Sequence, residues 1–264
     1  MSSINQQLNY NLDQLELPEI KSYLPNYLEQ VTAGKMSVSE ALLALTTKEL
    51  VYQHQTQVER TIARARFSSV KTLEGFDFNF QPSIKRQEIL ELKSLAFMDQ
   101  AENILLVGSP GVGKTHLAIA IGREACQQSL RVLFINCHEL LLRLRKADAK
   151  NELDRALNRY ARYDLLIIDE LGYLPINHDE ANLFFQLINA RYEQKSTIVT
   201  SNSALSSWVD IFQNPTVTAA ILDRLVHHVH TIRITGKSYR LKAKLYLPKT
   251  YIFNCHKPTF LSCP

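Results

Sequence analysis

The run Gly108-Ser109-Pro110-Gly111-Val112-Gly113-Lys114-Thr115 has the spacing GxxxxGK[ST]. Each residue type in it has a physical task. Glycines let backbone N–H groups turn inward and approach phosphate oxygens with no Cβ in the way. A helix beginning at the end of such a loop adds the partial positive charge of its N-terminus. Lys114 is expected to reach the β- and γ-phosphates of a nucleotide, and the Thr115 hydroxyl to reach Mg²⁺. The loop therefore predicts a nucleoside triphosphate site.

A second candidate is Leu165-Leu166-Ile167-Ile168-Asp169-Glu170, where four apolar residues of strand length end in two carboxylates. Ligands of open α/β sheets lie at the C-terminal ends of the strands. Asp169 is expected to hold Mg²⁺ through water, and Glu170 to orient or deprotonate an attacking water. Asp169 stands 55 residues beyond Lys114, and the strand 131–135 falls between them. That fits the class of P-loop proteins in which another strand separates the two site strands, a class that includes oligomeric motor-type ATPases.

A third buried strand ends in Thr200-Ser201-Asn202, which predicts Asn202 near the γ-phosphate. Its amide could hold the lytic water or report the phosphate's departure; a turn-forming Asn is the alternative. Arg224 is a candidate for stabilising phosphoryl charge across a subunit boundary, with a salt bridge to Asp223 or a neighbour as its alternative. Arg191 and Arg240 are weaker candidates for the same work. His227, His228 and His230 cluster at a helix–strand junction, but no Cys or carboxylate completes a metal set there. His116 and Trp208 are expected to pack. The four cysteines form no CxxC pair and read as reduced thiols.

These residues need elements to position them. Residues 1–66 read as helical: Leu24, Tyr27, Leu28 and Val31 have helical spacing, Gly34 punctuates, and Ser37 with Glu40 is a capping box opening a long helix. Phe76, Phe78 and Phe80 alternate before Pro82, which predicts an extended linker packed on the next domain, and a helix over 84–97 follows. From 103 the pattern changes to strands at 103–107, 131–135, 164–168, 197–200 and 229–234. Helices fall at 115–128, 139–147, 153–162, 179–193 and 217–228. Such alternation implies an α/β fold with a parallel sheet covered on both faces. The expected division is a helical N-terminal domain at 1–70, a linker with a lead-in helix at 71–102, a core at 103–244 and an atypical tail at 245–264.

Composition bounds the reading. The 264 residues are 45% apolar and 21% charged, with 8 Gly and 9 Pro, which excludes a disordered or low-complexity chain. No run is long enough to span a membrane, and the polar N-terminus lacks a secretory pattern, so a cytoplasmic protein is expected. Net charge is only +4, but no acidic residue follows Asp223, and Arg143, Arg145, Lys146, Lys150, Arg155, Arg159 and Arg162 form another basic run. A third is Arg60, Arg64, Arg66 and Lys71. The asymmetry suggests an anionic partner, nucleic acid first, although any one run could be a solvated face. No helix-turn-helix or zinc-finger pattern appears, so base-specific readout is not expected.

The linked segments GSPGVGKTHLAIAIG, LLIIDELGYLP, ANLFFQLINARYEQKSTIVTSN, AAILDRLVHH and GKSYRLK resemble the IstB/DnaC group of AAA+ ATPases, nearest to the IstB-type transposition helpers of insertion sequences. The resemblance covers about residues 10–242. It implies a three-layer AAA+ core behind a helical N-terminal domain, ATP-dependent self-assembly on duplex DNA and delivery of a transposase to its target. By matching motifs it makes Lys114 and Thr115 the Walker A pair, Asp169 and Glu170 Walker B, Asn202 sensor 1 and Arg224 the arginine finger. A helicase loader of the DnaC type shares this core and is the alternative. Only 30 residues follow the last strand, which implies no full C-terminal lid and no usual scaffold for Arg240. A P-loop small-molecule kinase would need an acceptor pocket that no segment supplies.

Overall fold

The computed structural model describes residues 3–241. The tail from 245, with Cys255 and Cys263, and the stretch on which a lid would depend lie outside them. The chain opens with three helices, α1 (Ser3–Gln14), α2 (Pro18–Thr32) and α3 (Val38–Ala65). As expected, Ser37 caps α3 in a capping box with Glu40, and Gly34 follows α2 at φ +68°. The buried Glu49 carboxylate of α3 accepts the Glu19 and Ile20 N–H groups at 2.9 and 3.0 Å, so α3 caps the first turn of α2. The C-terminal end of α3 does not stay in a separate helical unit. Ile62 and Ala65, with Phe67 beyond them, pack into the core of the sheet-containing part.

Residues 72–82 differ from the extended linker that alternation suggests. They form successive turns, with Phe76 N–H donating to the Leu73 carbonyl and Gln81 N–H to the Phe78 carbonyl, each at 3.2 Å. Phe76 is buried and meets Phe78 edge-on at 4.9 Å, so the aromatic residues share one cluster rather than alternate faces. The single helix expected at 84–97 is two, α4 (Arg86–Lys93) and α5 (Ala96–Asp99). Leu95 breaks them by taking a left-handed backbone at φ 65°, which no α-helix can include.

The remainder alternates as predicted: β1 (Asn103–Gly108), α6 (Lys114–Gln127), β2 (Val132–Asn136), α7 (Cys137–Asp148), α8 (Leu153–Ala161), β3 (Leu165–Leu171), α9 (His178–Arg191) and β4 (Ser196–Ser201). A 3-10 turn (Leu205–Ser207), α10 (Trp208–Phe212), α11 (Pro215–Val226) and β5 (Val229–Ile234) complete it. All five strands are parallel, in the order β2-β3-β4-β1-β5. A strand does separate the P-loop strand from the Asp169 strand, as the class requires, but it is β4; β2, which intervenes in sequence, is at the edge.

Strand periodicity sorts the apolar runs onto two cores. Ile104, Leu106, Ile167 and Ile198 face α6 and the end of α3. Leu105, Leu166, Ile168 and Val199 face the α7–α11 side, where Trp208 is fully buried. No helix among the described residues is long and apolar enough to cross a membrane.

Candidate functional site

The loop joining β1 to α6 carries the phosphate-binding pattern, and its glycines are used. Gly113 takes φ +109° at the N-cap of α6, and a Cβ there would stand 2.6 Å from Phe76 Cε2. Gly111 takes φ +82°, and a Cβ there would collide with Ser238 Oγ. Tyr239 N–H donates to the Gly111 carbonyl at 2.9 Å, and the Phe80 and Tyr239 rings meet edge-on at 5.2 Å. Two segments distant in sequence therefore hold the loop, the turns at 72–82 from one side and residues 238–239 from the other.

Lys114 is buried, and its Nζ donates to the carbonyls of Gly108 and Ser109 at 2.6 and 2.9 Å. Burial lowers its pKa; Asp169 and Glu170 pull it up, and Arg240 pushes it down. Thr115 Oγ1 donates to Asp169 Oδ1 at 2.9 Å, and Thr200 Oγ1 donates to the same oxygen at 2.6 Å. Burial raises the Asp169 carboxyl above the ordinary range, while the two threonine hydroxyls lower it and Glu170 raises it further. Because β4 lies between β1 and β3, Thr200 is the residue that bridges to the carboxylate pair.

Glu170 stands in a register shift between β3 and β4 and takes φ 61°, a left-handed conformation uncommon for a residue other than glycine. Its N–H donates to Thr200 Oγ1 at 2.9 Å, and its Oε2 accepts from Asn136 Nδ2 at 2.7 Å. Such local strain is stored at functional sites at a cost of about 1–3 kcal/mol. The bulge turns the Glu170 side chain out of the sheet, whereas Asp169 remains buried.

A cavity of about 560 Å³ unites these groups. Lys114, Thr115, Glu170, Thr200 and Asn202 line it, together with Phe76 and Arg240. Arg240 thus reaches the cavity although no lid scaffold is described. His116 lines the same cavity but is packed, as expected: its Nε2 lies 2.8 Å from the Thr72 carbonyl and its ring meets Phe76 edge-on.

Arg224 is not in this cavity. It lies on α11, donates to Asn189 Oδ1 at 2.8 Å and sits 4.8 Å over the Phe185 ring of α9. The bridge to Asp223 that the sequence left open is replaced by the Asn189 contact. Arg191 is corrected outright. It is 2% exposed and donates to Thr197 Oγ1 and to the carbonyls of Tyr160, Tyr163 and Ser196, at the strand ends opposite the phosphate loop. Its work is structural.

The histidine reading also changes. Glu193, just beyond α9, supplies the carboxylate that adjacent sequence lacks, 3.6 Å from His227 Nδ1. His230 instead turns to Glu102 at 2.7 Å. Cys126 and Cys137 are free and buried, and burial pushes both thiols to about 12. Asn136 and Thr200 join the site without being candidates in the sequence, although both stand in the C-terminal ends of strands, Asn136 last in β2 and Thr200 next to last in β4, at the sheet edge that carries the motifs.

The strand order, the loop after β1 and the carboxylate pair at the end of β3 define a P-loop ATPase of the AAA+ class. Sequence comparison then places the chain: it belongs to the family of IstB-like ATP binding proteins, whose model matches residues 10–246. It is 43% identical over 242 residues to a protein of insertion sequence IS232 from Bacillus thuringiensis subsp. berliner that is described as ATP-binding, covering 92% of this chain and 97% of that one. A protein of insertion sequence IS21 from Pseudomonas aeruginosa, likewise described, is 44% identical over 238 residues, or 90% of each chain. Among solved structures, AMPPCP-bound DnaA from Aquifex aeolicus superposes with a TM-score of 0.55 at 23% identity, over 68% of this chain and 56% of that one. DnaI superposes with a TM-score of 0.50 at 22% identity, over 64% and 89%. These two share the fold; this chain spans little more than half the length of DnaA.

Proposed function

We propose that this protein is an ATP-dependent helper that assembles on duplex DNA, with little sequence preference, and directs the transposase of the same element to target sites. The observation that carries this reading is the convergence of Lys114, Thr115, Asp169, Glu170 and Asn202 at one sheet edge, in a chain whose relatives come from insertion sequences.

The residues act as follows. Backbone N–H groups of Gly108, Ser109, Pro110's successor Gly111, Val112 and Gly113 cradle the triphosphate, and the Lys114 ammonium leaves the loop carbonyls for phosphate oxygens. Pro110 has no N–H and shapes the turn. Thr115 Oγ1 and Asp169 Oδ1, 2.9 Å apart, are hard oxygen donors suited to Mg²⁺; the ion, when bound, offsets phosphate charge. Glu170, once released by Asn136, orients and deprotonates the attacking water. Asn202 holds that water or the γ-phosphate. Arg224, remote from its own cavity, serves the nucleotide of an adjacent subunit.

DNA contact is supported by the outer face of α8, where Arg155, Arg159 and Arg162 are exposed at helical spacing. Part of the basic run is spent elsewhere: Arg143 pairs with Glu139, and Arg145 with Glu180. All of this work belongs in the cytoplasm.

The test is sedimentation of the full-length protein with duplex DNA and ATP, followed by capture of the transposase encoded beside it. ATP-dependent assemblies that retain the transposase are expected. Assembly without ATP, or none on DNA, overturns the reading. Stable capture of a replicative helicase instead would make the protein a loader.

A further inference from the structure

We propose that Glu193, His227 and His228 form a binding site for a divalent transition-metal ion of the zinc type. One ligand atom from each residue lies within 4.8 Å of the others. His227 Nδ1 and Glu193 Oε1 are 3.6 Å apart. Two donors held about 2.0–2.1 Å from one tetrahedral ion stand about 3.4 Å apart, so this pair needs only a small adjustment to share an ion. The His227 and His228 ring centroids are 4.1 Å apart. Two imidazoles and one carboxylate are a borderline donor set, which suits zinc better than magnesium or calcium.

The surroundings favour a cation independently of the ligands. Glu193 follows the C-terminal end of α9, and His227 follows that of α11. Both helices therefore direct their negative ends at the cluster. Asp223 adds a carboxylate on α11, and Arg224 is the opposing positive charge. Tyr192 Oη lies 2.9 Å from His227 Nδ1 and orients the ring; the ion replaces it as that nitrogen's partner. All three ligands are exposed, so water completes the coordination shell. None of them lines the nucleotide cavity, and the site is separate from the Thr115–Asp169 pair.

Its consequence is mechanical. The ion joins the C-terminal ends of α9 and α11, the two helices between which Arg224 is held by Asn189 and Phe185. It would stiffen that setting without touching nucleotide.

The experiment uses untagged full-length protein carrying Asp169→Asn, which weakens metal binding at the phosphate loop. ZnCl₂ is titrated calorimetrically, and CoCl₂ serves as the spectroscopic probe. One ion per chain is expected, with a visible absorption band of tetrahedral or five-coordinate cobalt. Glu193→Gln and His228→Ala should each weaken zinc by roughly tenfold or more, and the double variant His227→Ala/His228→Ala should lose the band. Zinc should also slow amide exchange at residues 186–193 and 222–229 only where the ligands are intact. Because all three side chains are exposed, an unchanged thermal melt is expected and shows that the variants fold. Unaltered stoichiometry in the double variant, or no binding to the parent protein, overturns the proposal.

Discussion

The Asn136 amide donates to the Glu170 carboxylate across 2.7 Å, joining the end of the edge strand β2 to the bulge that ends β3. The other end of the same amide is also used, since Asn136 Oδ1 accepts the His138 N–H at 2.9 Å and caps α7. One side chain thus ties a helix start to the carboxylate proposed to activate water. The Oε2 oxygen that accepts from the amide has that lone pair engaged and not free for a water.

Replacing Asn136 separates these two tasks. Asn136→Ala should release Glu170 and raise the basal ATPase rate severalfold, while the lost cap costs about 1 kcal/mol of stability. Asn136→Asp should keep the cap and repel Glu170, raising the rate with less loss of stability. Steady-state phosphate release and urea melts measure both; an unchanged rate in both variants would show that the contact does not restrain Glu170.

Lys114→Ala and Glu170→Gln should fail differently. The first removes the main side-chain counterion of the phosphates, and nucleotide affinity should fall by roughly tenfold or more. The second keeps the shape but removes the base, so ATP should still bind while turnover drops by roughly 100-fold or more. Fluorescent-nucleotide titration beside turnover separates the two. Wild-type turnover in Glu170→Gln would sink the water-activation role.

Arg224 is tested by mixing. Arg224→Ala and Lys114→Ala proteins should each be nearly inactive alone. Mixed, some interfaces pair an intact phosphate loop with an intact Arg224, and partial activity should return. A mixture as inactive as its parts, with mixed oligomers demonstrated, would confine Arg224 to its own subunit.

On α8, the double change Arg155→Glu/Arg159→Glu should weaken binding to duplexes of any sequence and make the salt dependence shallower by about two counterions. Binding isotherms at several salt concentrations provide the slope. An unaltered slope would place the DNA contact elsewhere.

Asp164 gives the fold an acid limit. Burial works against its charged form, but hydrogen bonds from Arg131 and Lys195 prevail and hold it at about 2, against 3.8 for the free side chain. As pH falls through that window the unfolded chain takes up the proton first, so stability present above about pH 4 is lost toward pH 2. The contribution is about 2 kcal/mol. Asp164→Asn should lower stability near neutrality by that order and flatten the acid limb, as read from urea melts across pH.

What the sequence determined by itself was chemistry that is local to the chain. A phosphate loop works through its own backbone N–H groups and the helix that follows, so Gly108–Thr115 was legible as a contiguous pattern. The apolar run before Asp169 and Glu170, the alternation of strands and helices, and the Ser37–Glu40 capping box are likewise short-range. Lateral position belonged to the tertiary structure alone. Strand order is set by packing both sheet faces, not by chain order, and it placed β4 rather than β2 beside the phosphate-loop strand and so made Thr200 the bridge to Asp169. Residues far apart in sequence met for the same reason: Tyr239 on Gly111, Asn136 on Glu170, and Glu193 beside His227. Arg191 and Arg224 are one residue type in helices of similar pattern. Only burial at the far strand ends, against half-exposure on the face of α9, separated a guanidinium locked in the core from one held at the surface by Asn189 and Phe185.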